Sequence, residues 1–301
     1  MNLRALDLNL LVALDALLRE RHVSRAAERV GLSQPAMSNA LGRLRRLFGD
    51  ELLVRTAGGM QPTPRALELV APLEALLRQV ERLMQPQGAF DAERSDRRFA
   101  LRLSDLLALL LLPALQTAVE RRAPRASLDI VHLPPAATVD ALERGEVDAA
   151  VSMGLEHGGA IRSRVLLRDR MVCVLRRGHP AAGESLTLER FLALRHLKVS
   201  QSPSDRRFAD DVLAPLKQER TVALNVPSWL VAGPVLAASD LVAVMPARLA
   251  EALAAGSLVV RELPLAAAAF DWRLYWHRRD DASPPNVWLR ERLAEVAGSI
   301  G

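Results

Sequence analysis

Leu10, Leu11, Leu14, Leu17 and Leu18 recur at i, i+1, i+4, i+7 and i+8, which puts them on one face of a helix from Leu8 to Glu20. Ser24 offers a hydroxyl to cap a second helix whose first turn is Arg25 to Glu28. Glu28 lies near the capping-box offset, and Gly31 supplies the left-handed stop. Ser33 caps a third helix, with Gln34 and Pro35 in its first turn, where proline lacks only a donor that would be orphaned anyway. This helix runs to about Phe48, and Ala26, Ala27, Val30, Leu32, Met37, Ala40 and Leu41 face inward across the pair. Small Ala27 allows a close crossing, Gly31 makes the turn and Met37 fills the angle. Two short helices joined by a Gly-Leu-Ser corner form a helix-turn-helix, whose second helix is the candidate for a major groove.

Beyond it, Leu52, Val54 and Arg55, then Gly58, Gly59 and Met60, read as a two-stranded hairpin with a glycine-bearing loop, a wing. From Pro64 to Met84, Ala66, Leu69, Leu73, Leu76, Val80 and Leu83 step by three and four. That seam predicts a long helix paired with a second copy of itself, the alternative being a helix packed within its own chain. Pro72 predicts a kink or a broken first turn. Gln85 to Gly88 reads as a hinge.

The rest of the chain alternates strand and helix patterns, which indicates parallel β/α units. Phe99 to Leu103 is a strand followed by an apolar helix from Asp105; Leu128 to Leu133 is another strand; Val139 to Leu142 begins a helix that turns at Gly145 into the strand Ala149 to Met153. Met171 to Leu175, Leu197 to Val199, Leu241 to Met245 and Leu258 to Arg261 are apolar enough for central strands, with a turn at His179 and Pro180.

Composition narrows the class. At 301 residues and 50% hydrophobic, the chain exceeds one core, so a small domain plus a larger or two-lobed one is expected. The start from Met1 has no signal-peptide pattern, because Asp7 and Asp15 interrupt its first apolar stretch. Leu106 to Leu112 falls far short of the ~20 apolar residues of a membrane span. Export by that route and membrane insertion are not expected, and the lone Cys173, in an apolar run, suits a buried thiol in a reducing compartment. A cytoplasmic location follows. Charge is the sharper clue: of the net +5, residues 1 to 65 hold 10 Arg against 6 acidic residues, so nearly all the excess lies in the first fifth. A phosphate-binding N-terminal domain on a nearly neutral body has this signature.

The polar positions Gln34, Ser38 and Asn39, with Arg43 a turn later, lie on or near one outward face of the third helix. Gln and Asn can pair bidentately with adenine, whereas Arg43, Arg45 and Arg46 suit phosphates and Arg55 on the wing suits backbone or minor groove. An ordinary solvated face explains each residue singly, but the joint pattern favours DNA. Ser24, Ser33 and Pro35 at the helix starts complete the DNA-binding set. Enzyme chemistry finds little purchase. The six histidines show no His-x-x-x-His spacing and no partner cysteines, the two lysines lie in no phosphate loop, and Gly-x-Gly-x-x-Gly and Gly-x-Ser-x-Gly are absent. No metal, cofactor or catalytic residue is expected. A stand-alone solute-binding protein would fit the second half of the chain but leaves the first unexplained.

Val23 to Pro64 resembles the LysR-type transcriptional regulators, through Ser24, Ala26, Ala27, Leu32, Ser33, Gln34, Pro35, Ala36, Ser38, Leu41, Arg43, Leu44, Leu52, Val54, Arg55, Pro62 and Thr63. Asp7 to Leu11 and Ser38 to Ala40 look like the branch of nodulation and naphthalene-degradation regulators, and a looser likeness continues to the C-terminus. The resemblance implies an α/β protein overall: a winged helix-turn-helix (1–65), a linker and dimerisation helix with its hinge (66–88), and a two-lobed effector domain resembling a periplasmic binding protein (89–301). Lobe I would take about 97–163 and 269–301, and lobe II about 164–268. The chain would cross near Ile161 to Leu166 and return near Leu265 to Asp271, with Trp272 to Trp276 and a helix from Asn286 to Val296 closing lobe I.

Ligands of open α/β sheets bind at the carboxyl ends of strands, against helix N-termini. That places Ser104, Asp105, Ser200, Gln201 and Ser202 as effector contacts, with Pro134, Met153 and Trp229 as walls; plain helix capping is the competing explanation of the hydroxyls. Asp105 departs from the neutral hydroxyl pattern of the family and disfavours an unescorted carboxylate beside it. Asp169 and Arg170 near the crossover are weaker candidates that a salt bridge would explain. The expected partners are double-stranded DNA, a small effector that is aromatic or an organic acid, and further copies of the chain in a dimer or tetramer, with RNA polymerase as an additional candidate and no membrane.

Overall fold

The computed structural model describes residues 7–56, 59–84, 90–183, 185–200, 208–254, 256–266 and 269–300, and the chain divides near residue 88 into two compact units. The first unit holds α1 (Asn9–Glu20), α2 (Val23–Val30), α3 (Gln34–Phe48), the hairpin β1 (Leu53–Thr56) and β2 (Gly59–Pro62), and α4 (Pro64–Met84). Asp7 Oδ1 accepts the Asn9 N–H at 3.1 Å as α1 begins. Ser24 does not cap α2. Backbone extension at His22 (φ −157°, ψ 121°) starts the helix earlier, His22 Nδ1 accepts from Arg25 N, and Ser24 falls inside the first turn. The corner follows the pattern: Gly31 adopts φ +72°, its N–H and that of Leu32 satisfy Glu28 and Ala27 carbonyls, and Ser33 Oγ caps α3 at Ala36 N.

Leu10, Leu14, Leu17, Ala26, Ala27, Met37, Leu41, Leu44, Leu52 and Leu53 bury together as the core of this unit. Leu32, expected to face inward, is 43% exposed, because the corner that returns its N–H to Ala27 carries its side chain out. Helix α4 is continuous from Pro64 through Pro72, so the broken first turn is absent. The carbonyl deprived of a donor belongs to Glu68, which is exposed like Pro72, so water can satisfy it. The single self-pairing seam is also corrected: Ala66, Leu69 and Leu73 pack into the core of their own unit, whereas Leu76 and Val80 stay exposed. The side chain of Leu83 and the Gln85 to Gly88 hinge lie outside the described residues.

Three polar ties join these elements. Arg45 donates to the carbonyls of Glu51 (2.9 Å) and Leu53 (2.8 Å), which fastens α3 to the hairpin. Asp50 Oδ1 accepts from Leu52 N and Thr63 Oγ, and Thr63 Oγ accepts in turn from Ala66 N at the start of α4. Those bonds, the Thr63 hydroxyl foremost, hold the Asp50 carboxyl below its ordinary value. Arg19 of α1 meets Glu74 of α4 at 2.5 Å.

In the second unit, lobe I opens with β3 (Arg98–Arg102), α5 (Asp105–Arg122), β4 (Ser127–Val131), α6 (Pro135–Arg144), β5 (Ala149–Ser152) and β6 (Ile161–Asp169). Lobe II follows as β7 (Met171–Arg176), α7 (Leu188–Ala193), β8 (Arg195–Val199), α8 (Ala209–Leu213), β9 (Thr221–Val226), α9 (Trp229–Ala237), β10 (Leu241–Pro246), α10 (Ala247–Leu253) and β11 (Leu258–Glu262). The chain then returns to lobe I for β12 (Phe270–His277) and α11 (Pro284–Ser299).

Lobe I has the sheet order β4-β3-β5-β12-β6 and lobe II the order β11-β7-β10-β8-β9. β4, β3 and β5 run parallel, as do β10, β8 and β9, while the crossing strands β6 and β12 pair antiparallel along their length. Because β6 stays with β12 through Asp169, the passage to lobe II falls at Arg170, later than the resemblance implies. Asp169 fixes that point. Buried, it accepts from the N–H groups of Arg170 and Arg248 and from Trp272 Nε1, while Arg170 itself pairs with Glu262, so neither serves the cleft.

Both faces of the lobe II sheet are covered: Val172 and Val174 of β7 face one apolar cluster and Met171, Cys173 and Leu175 the other, the period-two alternation of a strand. Burial pushes the Cys173 thiol up to about 12, so it packs rather than reacts. In α5, Leu106, Leu107, Leu111, Leu115 and Val119 are buried, and the helix continues past Pro113. No described helix is long and apolar enough to cross a membrane.

Candidate DNA-reading surface and effector cleft

Helix α3 is sharply two-sided. Met37, Ala40, Leu41 and Leu44 are buried, while Ser33, Gln34, Pro35, Ser38, Asn39, Arg43 and Arg46 are exposed. The period of the helix forces this division, because the buried set recurs every three to four residues and leaves the opposite arc polar. Gln34 Nε2 donates to Ser38 Oγ at 3.0 Å, one turn on, so the two form a single hydrogen-bonding patch. Ser24, half-buried in α2, stands apart from the exposed set.

Arginines flank the patch with different freedom. Arg43 Nη1 contacts Asp7 Oδ2 at 2.9 Å; the Asn9 N–H first, and Arg43 after it, hold the Asp7 carboxyl below its ordinary value. Arg46 donates only to Gly42 O of its own helix, and Arg55 is exposed on β1 opposite Met60; neither has an acidic partner among the described residues. Arg45, read from the sequence as a phosphate contact, instead works inside the fold, as described above.

In the second unit a cavity of about 210 Å³ opens between the lobes. It gathers six of the eight anticipated effector residues: Ser104, Asp105, Pro134, Met153, Ser200 and Trp229. Gln201 and Ser202 lie outside the described residues. Ser104 Oγ caps α5 at Leu107 N, and Ser200 Oγ donates to Asn225 Oδ1 at 2.7 Å, so part of their hydrogen-bonding capacity is spent on the fold.

The pattern missed Arg102, His132, Ser152, Phe208 and Trp272, which also line the cavity. Arg102 matters most. It is 5% exposed, donates to the carbonyls of Leu133 and Val151, and has no carboxylate partner among the described residues. Burial draws its pKa below the usual guanidinium value, yet arginine keeps its proton in proteins. The cleft wall therefore carries a guanidinium with no ion-pair partner among the described residues, alongside the Asp105 carboxylate. An arginine inside the otherwise apolar strand Phe99-Ala-Leu-Arg102 was the available signal. Among the described residues no cluster of His, Cys, Asp or Glu could hold a metal ion.

A two-sided helix behind a glycine corner in one unit and a polar cleft between two α/β lobes in the other define a ligand-responsive DNA-binding regulator. The chain belongs to the LysR family: residues 8–67 match the bacterial regulatory helix-turn-helix protein, lysR family, and residues 92–298 match the LysR substrate binding domain. It is 40% identical over 296 residues to the transcriptional regulator SyrM of Rhizobium etli, covering 97% of this chain and 87% of that one. It is 34% identical over 297 residues to the transcriptional activator NahR of Pseudomonas putida, covering 98% and 99%. The crystal structure of the probable transcriptional regulator PA0477 from Pseudomonas aeruginosa superposes with a TM-score of 0.82 at 35% identity, over 97% of each chain.

Proposed function

We propose that residues 1–65 bind duplex DNA with α3 in the major groove, that residues 66–88 link and pair protomers, and that residues 89–301 bind a small effector whose occupancy alters operator binding. The observation that carries this is the exposed arc of Gln34, Ser38 and Asn39 opposite a fully apolar face. Its hydrogen-bonding groups suit base edges, with Ser33 and Pro35 at the helix start and Arg43, Arg46 and Arg55 suited to the flanking phosphates. Ser24, half-buried in the first turn of α2, is retained from the sequence as a further DNA contact.

Self-association is supported by apolar surface that one chain leaves uncovered: Leu76 and Val80 on α4, Ile130 on the edge strand β4, and Val222 and Leu224 on the edge strand β9. A homodimer, or a tetramer built from two, would then read an inverted repeat in the cytoplasm. The chain acts by shifting populations rather than by catalysis, and RNA polymerase is its partner in output. Arg102 favours an effector bearing an acidic group, aromatic or aliphatic, within walls from Pro134, Met153 and Trp229, with Ser104 and Ser200 as hydroxyl contacts and Gln201 and Ser202 retained from the sequence.

The test is quantitative binding of the full chain to the fragment upstream of its own gene and to random duplex. Asn39→Ala and Ser38→Ala should weaken the preferred fragment by about tenfold or more, the worth of one base contact, and leave random duplex nearly unchanged. Equal losses on both would refute base reading by α3. For the effector half, a panel of aromatic and aliphatic acids is screened for a change in operator affinity, and Ser104→Ala should reduce that change.

A further inference from the structure

The cleft contains one contact that its role as a ligand pocket does not explain. Asp105, first residue of α5 in lobe I, accepts on Oδ1 from its own Leu106 N at 2.9 Å. Its Oδ2 reaches lobe II and accepts from Ser228 Oγ and from Trp229 N, both at 2.7 Å. Ser228 is the N-cap of the nine-residue α9, where its Oγ also accepts from Leu230 N at 3.2 Å. The positive ends of α5 and α9 therefore share one carboxylate, supplied by the chain itself. These charge-assisted bonds span the cleft between the lobes.

We propose that Asp105 is a built-in anion that latches lobe II to lobe I and reserves the α9 N-terminus, so that an acidic effector is oriented with its charge toward Arg102 and its uncharged end toward Asp105. This rests on the cleft being the effector pocket. Two observations give the orientation. A free carboxylate at the α9 N-terminus would meet the Asp105 charge at close range in a partly desolvated site, where like charges repel strongly. Arg102, by contrast, is buried in the cavity wall, donates to backbone carbonyls and has no carboxylate partner among the described residues. The chain has filled one anion position itself and, among the described residues, sets no carboxylate against Arg102. Asp105 thus acts as a specificity and positioning residue: it selects against a second negative charge at its end and favours a hydroxyl, amide or other donor there.

The latch is tested without any effector, by hydrogen exchange of the full-length protein read by mass spectrometry across the peptide 227–232. Asp105→Ala should speed exchange at Trp229 by about tenfold or more, and Asp105→Asn, which keeps an acceptor oxygen without the charge, should fall between it and wild type. Far-UV spectra and melting curves of both variants establish that they fold, and wild-type exchange in both would overturn the latch.

Orientation is tested by titrating benzoate and its uncharged counterpart benzamide calorimetrically into wild type and Asp105→Ala. Removing Asp105 should raise the affinity for benzoate relative to benzamide by about tenfold or more. An unchanged ratio, or no binding of either probe to either protein, would overturn the orientation. Failure of the effector-pocket reading shows separately, as an operator affinity that no acid in the panel alters while the exchange difference persists.

Discussion

His196 offers a test of the lobe II core in which the magnitude follows from the surroundings of one ring. The imidazole is fully buried on β8, its Nε2–H donates to Phe191 O at 2.9 Å, and its edge meets the Phe191 ring at 4.5 Å between centroids. Nδ1 is buried with no hydrogen-bond partner among the described residues. Protonation would place a cation there without an acceptor, so burial foremost, with the Arg220 charge adding to it, lowers the pKa to about 4.

The sign follows from linkage: the folded pKa lies below the unfolded value of about 6.5, so as pH falls the unfolded chain takes up the proton first. Stability is lost from about pH 6.5 downward and levels off below about pH 4, with a loss of about 2 kcal/mol by pH 5 and about 3 kcal/mol near pH 4. His196→Leu, of similar volume, removes the titration. Urea unfolding at pH 7.5 and pH 5.0 should show the wild type losing about 2 kcal/mol more than the variant between the two conditions. The imidazole proton signals of His196 should also stay in their neutral form down to pH 5. Parallel losses in both proteins, or a His196 midpoint at 6 or above, would refute this account of the buried ring.

Other outcomes are expected of the DNA-facing unit. If Arg43 neutralises a phosphate, Arg43→Ala makes the plot of log affinity against log salt shallower by about one unit, and an unchanged slope removes Arg43 from the contact. Met37, fully buried at the angle of α2 and α3, should lose about 2–5 kcal/mol of stability on replacement by alanine, measured as a lower melting transition. Leu76→Glu with Val80→Glu should shift the full-length protein toward monomer in sedimentation, and an unaltered oligomer would place the pairing surface elsewhere.

Features written in short stretches of sequence were the legible ones. Gly31, Ser33 and Pro35 act on the backbone within a few residues of themselves, and the corner they specify is the corner observed. The strand ends that carry Ser104 and Ser200 were equally local, and the two sites meet in one cleft. Competition between local options misled at Ser24, where His22 took the cap, and at Leu32, whose outward path depends on the corner. Heptad spacing on α4 could not say which half would find its partner within the same chain. Arg102, His132 and Trp272 come together only through pairing across β4, β3, β5 and β12, so their neighbourhood is a property of topology that no nearby residue announces.

Arg45 and Asp50 leave the DNA-facing unit with few ways to flex. The recognition helix, the wing and the start of the linker helix are joined by direct bonds through one arginine and one aspartate, and α1 is clamped to α4 by Arg19. If α3 enters a groove as proposed, its tilt must carry the hairpin and α4 with it. Any adjustment of the proposed DNA contacts is then a movement of this block as a whole, which displaces all of them at once.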